Sequence, residues 1–261
     1  KSTMKCFFSL LFVIICVFNL SAQDYKQYLN LSYTELDSLV LIPYQKGQLS
    51  ECLLLMEAGR EQARAEFGSE DSTFANYTNY LGLFHLMMGQ DKEALLFFTE
   101  AKDVVEKVLG QSHPLFAQIL KNIASVYQNM GKLELALSIY FEARDITEKA
   151  LGKDDSNLAW IYQKIASLYQ DMGDLERTLA LLIKSKNIIE RAGETEGMMF
   201  ANTLHRLAIL HRKMGNFEQA LPLYIQAKKL TEEILGEGHP DLSTLYHNMA
   251  LLYQDMEKLE L

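Results

Sequence analysis

The 261 residues carry 34 acidic against 25 basic side chains, a net charge of −9, and 49% of them are hydrophobic. A chain this apolar buries a sizeable core, while its acidic balance has the wrong sign for neutralising phosphates, which excludes a nucleic-acid binder and a surface held to anionic lipid by charge. With only 4 prolines among many Leu, Ala, Glu, Lys and Gln, the composition points to an all-α fold, because proline removes a backbone donor and clashes with the preceding helical turn.

The first predicted element is a targeting signal over residues 1–22. Met4-Lys5 precedes an apolar run from Cys6 to Phe18 broken only by Ser9. A run of about 13 residues falls short of the roughly 20 needed to span hydrocarbon. The small residues Ser21 and Ala22 offer a cleavage point, so the mature chain is expected to begin near Gln23 and to be exported to a periplasm or the medium. Leu20, bulky three places before that cut, leaves an uncleaved anchor open. Removal of residues 1–22 takes Lys1, Lys5, Cys6 and Cys16 with it, moving the net charge from −9 to −11 and leaving Cys52 alone. No intramolecular disulfide is then available, and stability rests on packing.

Residues 23–73 form an N-terminal segment with an atypical first repeat, and residues 74–261 an array at a fixed offset. NIASVYQNMG at 122–131 and KIASLYQDMG at 164–173 agree at seven of ten positions, 42 residues apart. The same offset aligns RLAILHRKMG at 206–215, NMALLYQDME at 248–257 and YLGLFHLMMG at 80–89. Gly47, Gly89, Gly131, Gly173 and Gly215 share one column, and Gly68, Gly110, Gly152 and Gly236 another. Such a period means a stack in which each unit buries its apolar face against its neighbours. Within one unit, Leu120, Ile123, Ala124 and Tyr127 fall on one arc of a first helix. Ala136, Tyr140, Ala143 and Ile146 form the stripe of a second, from Leu133 to Leu151. Hairpins are predicted to begin near residues 33, 75, 117, 159 and 201, with an unpaired helix from about 243 closing a truncated sixth unit.

The columns Gly82, Ala124, Ala166, Ala208, Ala250, then Tyr127, Tyr169, Tyr253, then Ala94, Ala136, Ala220 and Ala101, Ala143, Ala227 resemble the tetratricopeptide repeats over roughly residues 33–261. The 42-residue period and the endings Leu109 to Pro114 and Leu235 to Pro240 resemble the lengthened subclass of kinesin light chains and many bacterial exported proteins. The resemblance implies a right-handed α-solenoid of antiparallel hairpins. Departures are Thr178 and Ser185 for alanine, Glu194 and Glu257 for glycine, and Pro43, which interrupts the first helix. Pro222 is expected to kink the second helix of the fifth hairpin without breaking it.

No nucleophile elbow, phosphate loop, dinucleotide fingerprint or metal-ligand cluster occurs, so no catalytic residue, metal or cofactor is assigned. His113 and His239 sit in the repeat endings, and Cys52 in an alanine column. The first-helix positions opposite the core arc are Gln118, Lys121, Ser125, Gln128 and Asn129. In the next unit they are Trp160, Gln163, Ser167, Gln170 and Asp171. Asn202, His205, Ile209, Arg212 and Lys213 follow, then Thr244, His247, Leu251, Gln254 and Asp255. The resemblance puts these on a concave peptide-binding groove. Their amides can pair with a peptide backbone, and Lys121, Arg212 and Lys213 against Asp171 and Asp255 make the groove less acidic than the chain. The expected partner is therefore an acidic or polar protein segment. Trp160 either anchors it or packs on the preceding helix. Two functions stay open, an interaction scaffold and the regulatory or recognition arm of a longer enzyme such as a CHAT-domain protease.

Overall fold

The computed structural model describes residues 25–257. The predicted signal segment 1–22 lies outside the described residues, as does the chain beyond Glu257. Every regular element among the described residues is a helix, which bears out the all-α fold class. None of these helices is long and apolar enough to cross a membrane. The chain divides into two compact units, meeting in sequence at Lys132–Leu133.

The first unit opens with a 3-10 turn, Tyr25–Tyr28, and then α1 (Tyr33–Leu39), α2 (Leu41–Gln45), α3 (Leu49–Phe67), α4 (Ser72–Met87), α5 (Asp91–Val108) and α6 (Pro114–Asn129). A reciprocal cap starts α1: the Ser32 amide donates to the Glu35 carboxylate at 2.7 Å, and the Glu35 amide to Ser32 Oγ at 3.4 Å. The predicted interruption occurs at Val40, which caps both α1 and α2. Pro43 has no N–H to continue the α1 ladder, and it is buried while Leu41, Ile42 and Tyr44 point outward. The core of this end gathers Leu36, Cys52, Leu55, Met56, Tyr77, Leu81 and Phe84. Cys52 is a buried free thiol, as its alanine column implies.

The second unit holds α7 (Leu133–Leu151), α8 (Ser156–Asp171), α9 (Leu175–Ala192), α10 (Met198–Lys213), α11 (Phe217–Leu235) and α12 (Pro240–Glu257). Ala166, Leu182, Leu207 and Leu210 form one of its cores. Within each unit, helices consecutive in sequence pack on one another. On α7 the stripe runs Ala136, Tyr140, Ala143 and then the buried Thr147, not the half-buried Ile146. Thr147 satisfies its hydroxyl by donating to the Ala143 carbonyl at 2.7 Å.

The spacing holds at 42 but the starts move: α4, α6, α8, α10 and α12 begin at 72, 114, 156, 198 and 240, three residues before the predicted positions. The cause is capping. Asp71 accepts from the Thr73 amide at 2.7 Å, His113 from Leu115 at 3.1 Å and Asp155 from Asn157 at 2.8 Å, and Pro114 fits the first turn. A second adjustment meets the missing glycine at Glu194. Gly193 takes the left-handed conformation one residue earlier, at φ 74° and ψ 15°, and α9 ends at Ala192. The polar replacements Thr178 and Ser185 are buried and partnered: Thr178 donates to the Asp174 carbonyl at 2.7 Å, and Ser185 Oγ accepts from Gln163 at 3.2 Å. Helix α11 runs on through Pro222.

Candidate functional site

The first helices of successive hairpins are tied laterally by contacts that span 43 residues of sequence. In the first unit, Asn122 of α6 donates to Asn79 Oδ1 of α4 at 2.9 Å. In the second, Arg206 of α10 donates to the main-chain carbonyl of Gln163 in α8 at 3.1 Å, and Asn248 of α12 meets His205 Nε2 of α10 at 3.0 Å. Arg212 of α10 and Asp255 of α12 make an ion pair at 2.7 Å, over the same separation. Each rung has at least one partner in the columns read from the sequence as a ligand face, so several of those side chains already have work inside the fold.

Among the groove residues of the first unit, Gln118 and Asn129 are exposed, whereas Lys121, Ser125 and Gln128 are half-buried. Asn129 donates to Asp91 at the start of α5 at 3.2 Å, and Ser125 Oγ to the Lys121 carbonyl at 3.1 Å. In the second unit Gln170, Asp171, Asn202 and Lys213 are exposed. Gln163 is not a free amide: its Nε2 donates to Ser185 Oγ at 3.2 Å and to Thr203 Oγ1 at 3.0 Å, joining α8 to α9 and α10. His205 rests against Tyr224, ring centroids 5.8 Å apart, and burial lowers its pKa. Arg212 is held by Asp255, so its charge is largely neutralised where it stands.

Trp160, Gln163, Lys164, Ser167, Met199, Asn202 and Arg206 enclose a cavity of about 440 Å³ between α8 and α10. Trp160 lines it and also meets Tyr140 of α7 edge-on, ring centroids 6.2 Å apart, so packing on the preceding helix and facing the cavity are compatible for one indole. The Lys164 ammonium stands 5.0 Å from the Trp160 ring centre. Burial lowers the Lys164 pKa, and the nearby Arg206 guanidinium lowers it further. Burial also lowers that of Arg206, opposed by the attraction of Asp171. Among the described residues neither Lys164 nor Arg206 forms an ion pair. Both were missed from sequence because they stand one residue past the chosen arc, in the column Tyr80, Asn122, Lys164, Arg206, Asn248. The signal was present as two basic residues replacing Tyr and Asn in that column. A smaller cavity of about 250 Å³, which Asn202 shares, lies beside His205, Thr231, Asp241 and Thr244. No group of three metal-binding side chains gathers among the described residues.

A family model described as tetratricopeptide repeat matches residues 115–191 and 199–261, and a second tetratricopeptide repeat model matches 74–115. Comparison with curated proteins gives no match. Among solved structures, the fold is similar to that of BtubC (BKLC) from P. vanneervenii, with a TM-score of 0.69 at 18% identity over 81% of this chain and 85% of that one. It is also similar to a Podosopora anserina protein of nearly identical TPR-like repeats, assigned as a kinesin light chain, with a TM-score of 0.59 at 20% identity over 77% of this chain and 96% of that one. A Rap protein complexed with Competence and Sporulation Factor aligns with a TM-score of 0.63 at 14% identity, over 83% of this chain and 62% of that one.

Proposed function

Because the chain belongs to the tetratricopeptide repeat family, we propose that it is a protein-interaction scaffold whose cavity between α8 and α10 takes an acidic protein segment. The observation that carries this reading is the pair Lys164 and Arg206, two partly desolvated cations beside Trp160 without an ion-pair partner among the described residues. A cation withdrawn from water regains its lost solvation best by meeting an anion. A carboxylate entering between them would relieve their mutual repulsion and accept charge-assisted hydrogen bonds. The indole beside them offers apolar area, and the exposed Asn202 a neutral donor and acceptor. The fold shared with a Rap protein, which is complexed with Competence and Sporulation Factor, supports a protein or peptide as partner.

The test uses Trp160, the one tryptophan in the chain, as reporter. A capped octapeptide alternating Glu and Ser is expected to change its emission on titration, and the Lys-Ser counterpart is not. Lys164→Glu with Arg206→Glu should weaken that binding by about tenfold or more, since hydrogen bonds to charged groups are worth about 1.5–3 kcal/mol. Equal binding of both peptides by the parent protein would end this reading. We also propose export, on the residue pattern at 1–22; amino-terminal sequencing of the product should begin within a few residues of Gln23, and an intact cytoplasmic product would contradict it.

A further inference from the structure

The column that carries Gln128, Gln170, Arg212 and Gln254 in later repeats is aromatic or aliphatic in the first two, with Tyr44 and Leu86. At the positions equivalent to Lys121, Ser125 and Gln128 the first repeat has Asp37, Leu41 and Tyr44, and at those of Ser125 and Asn129 the second has Leu83 and Met87. In the first unit these side chains enclose a cavity of about 480 Å³ between α2 and α4, with Phe84 among its walls. Leu41 is 55% exposed, Tyr44 48% and Met87 50%. Tyr44 meets Phe84 edge-on, centroids 6.3 Å apart, which holds the outer wall in place. The opening follows from the break at Val40: with Pro43 turned inward, the rest of α2 presents Leu41 and Tyr44 outward. An apolar hollow with exposed walls is the kind of surface that soluble proteins keep for a partner.

Charge decides what sort of partner. Among the described residues Asp37 is the one charged residue lining the hollow, and its Oδ1 accepts a hydrogen bond from Tyr77 at 3.1 Å. The hollow therefore favours a lysine or arginine beside the apolar group that fills it, opposite in sign to the preference at Lys164 and Arg206. We propose that the cavity between α2 and α4 is a second docking subsite, which takes a large apolar side chain flanked by a basic residue in a protein segment. This rests on the reading of the chain as a binder of protein segments and adds where, and with what chemistry, the first unit takes part.

The probe is a dye-labelled capped octapeptide carrying Phe-Leu between lysine pairs, followed by anisotropy on the full chain. Two comparators replace the lysines by glutamates or Phe-Leu by Ser-Ser. The lysine-flanked apolar peptide should bind at least tenfold tighter than either. Leu41→Asp with Met87→Asp, both at exposed positions, should lose at least tenfold of that affinity with the helical circular dichroism unchanged. Asp37→Asn keeps an acceptor for Tyr77 and should lose at least threefold, only against the lysine-flanked peptide. Lys164→Glu should leave this binding alone. Retained affinity in the Leu41/Met87 variant, or equal binding of the glutamate-flanked peptide, overturns the proposal. So does self-association in sedimentation that the same variant abolishes, which would assign the surface to a second copy. Trp160 emission with the Glu-Ser peptide is read in parallel: its persistence when the lysine-flanked peptide fails sinks this subsite alone, and failure of both sinks the scaffold reading.

Discussion

Gly59 stands in the column that holds Ala101, Ala143 and Ala227 in other repeats, and a Cβ there would lie 2.3 Å from the Tyr77 ring. The equivalents of Tyr77 are the smaller Ile119, Ile161, Thr203 and Leu245. The repeat thus exchanges a methyl for a ring, and the ring in turn reaches Asp37. Gly59→Ala gains about 1 kcal/mol of helix propensity, yet it forces a buried ring to move at a cost of about 1–3 kcal/mol. We expect a lower urea midpoint for Gly59→Ala and recovery when Tyr77→Ile is added; an unchanged midpoint would show that the close approach is not what keeps glycine there. Ile123, 6% exposed, gives the opposite contrast with exposed Gln118. Ile123→Asp forfeits about 1.5–3 kcal/mol of burial and leaves an unpaired charge in the core, so it should unfold at markedly lower temperature while Gln118→Ala melts like the parent.

At the scale of the helix, the five equivalent caps are Asp71, His113, Asp155, Gly197 and His239. Gly197 makes no side-chain bond to the start of α10. Its φ of −94° and ψ of 158° suit any residue, and the nearest atom to an added Cβ is 3.6 Å away. Gly197→Asp should therefore stabilise the protein by a few tenths to about 1 kcal/mol, through a cap bond and the helix dipole. A rise in melting temperature at pH 7 is the readout, and a fall would mean that the backbone there is not free to accept the side chain. The helix starts, unlike the helix period, were misread by three residues because capping depends on one side chain per helix. The apolar period is repeated at many positions. The interruption at Pro43 was legible for a related reason: a missing N–H acts locally. It breaks the first helix at Val40, whereas α11, flanked by α10 and α12, runs through Pro222.

Over the whole molecule, pH response follows from which charges the helices bury. Burial lowers the pKa of His205 and His211 from the ordinary 6.5, and His211 Nδ1 has no partner within the described residues. The unfolded chain then binds more protons than the folded one once the pH falls below about 6.5, so stability declines as pH drops from there to the folded-state values. Burial moves Glu57 the other way, raising its pKa, so its contribution grows on acidification. The histidine loss should appear as a fall in melting temperature between pH 7.5 and 5.5 that is smaller in His205→Gln. An equal fall in parent and variant would exclude His205 as a source.

The sequence alone determined the period of 42, the recurrence of helices within each unit, the turn glycines and the small-residue columns, which are buried except at Ala250. All of these depend on spacing along the chain, and each recurs often enough to read. Tertiary structure decided which polar residues are free. Gln163 and His205 lie in the right columns, yet their neighbours on the next helix hold them, and the next helix is 42 residues away in sequence and one hydrogen bond away in space. Lys164 and Arg206 line one cavity only because α8 and α10 come together there, which withdraws two like charges from water. The hollow beside Leu41 likewise needed the break at Val40 to be turned into a direction, which a helical wheel drawn through Pro43 does not contain.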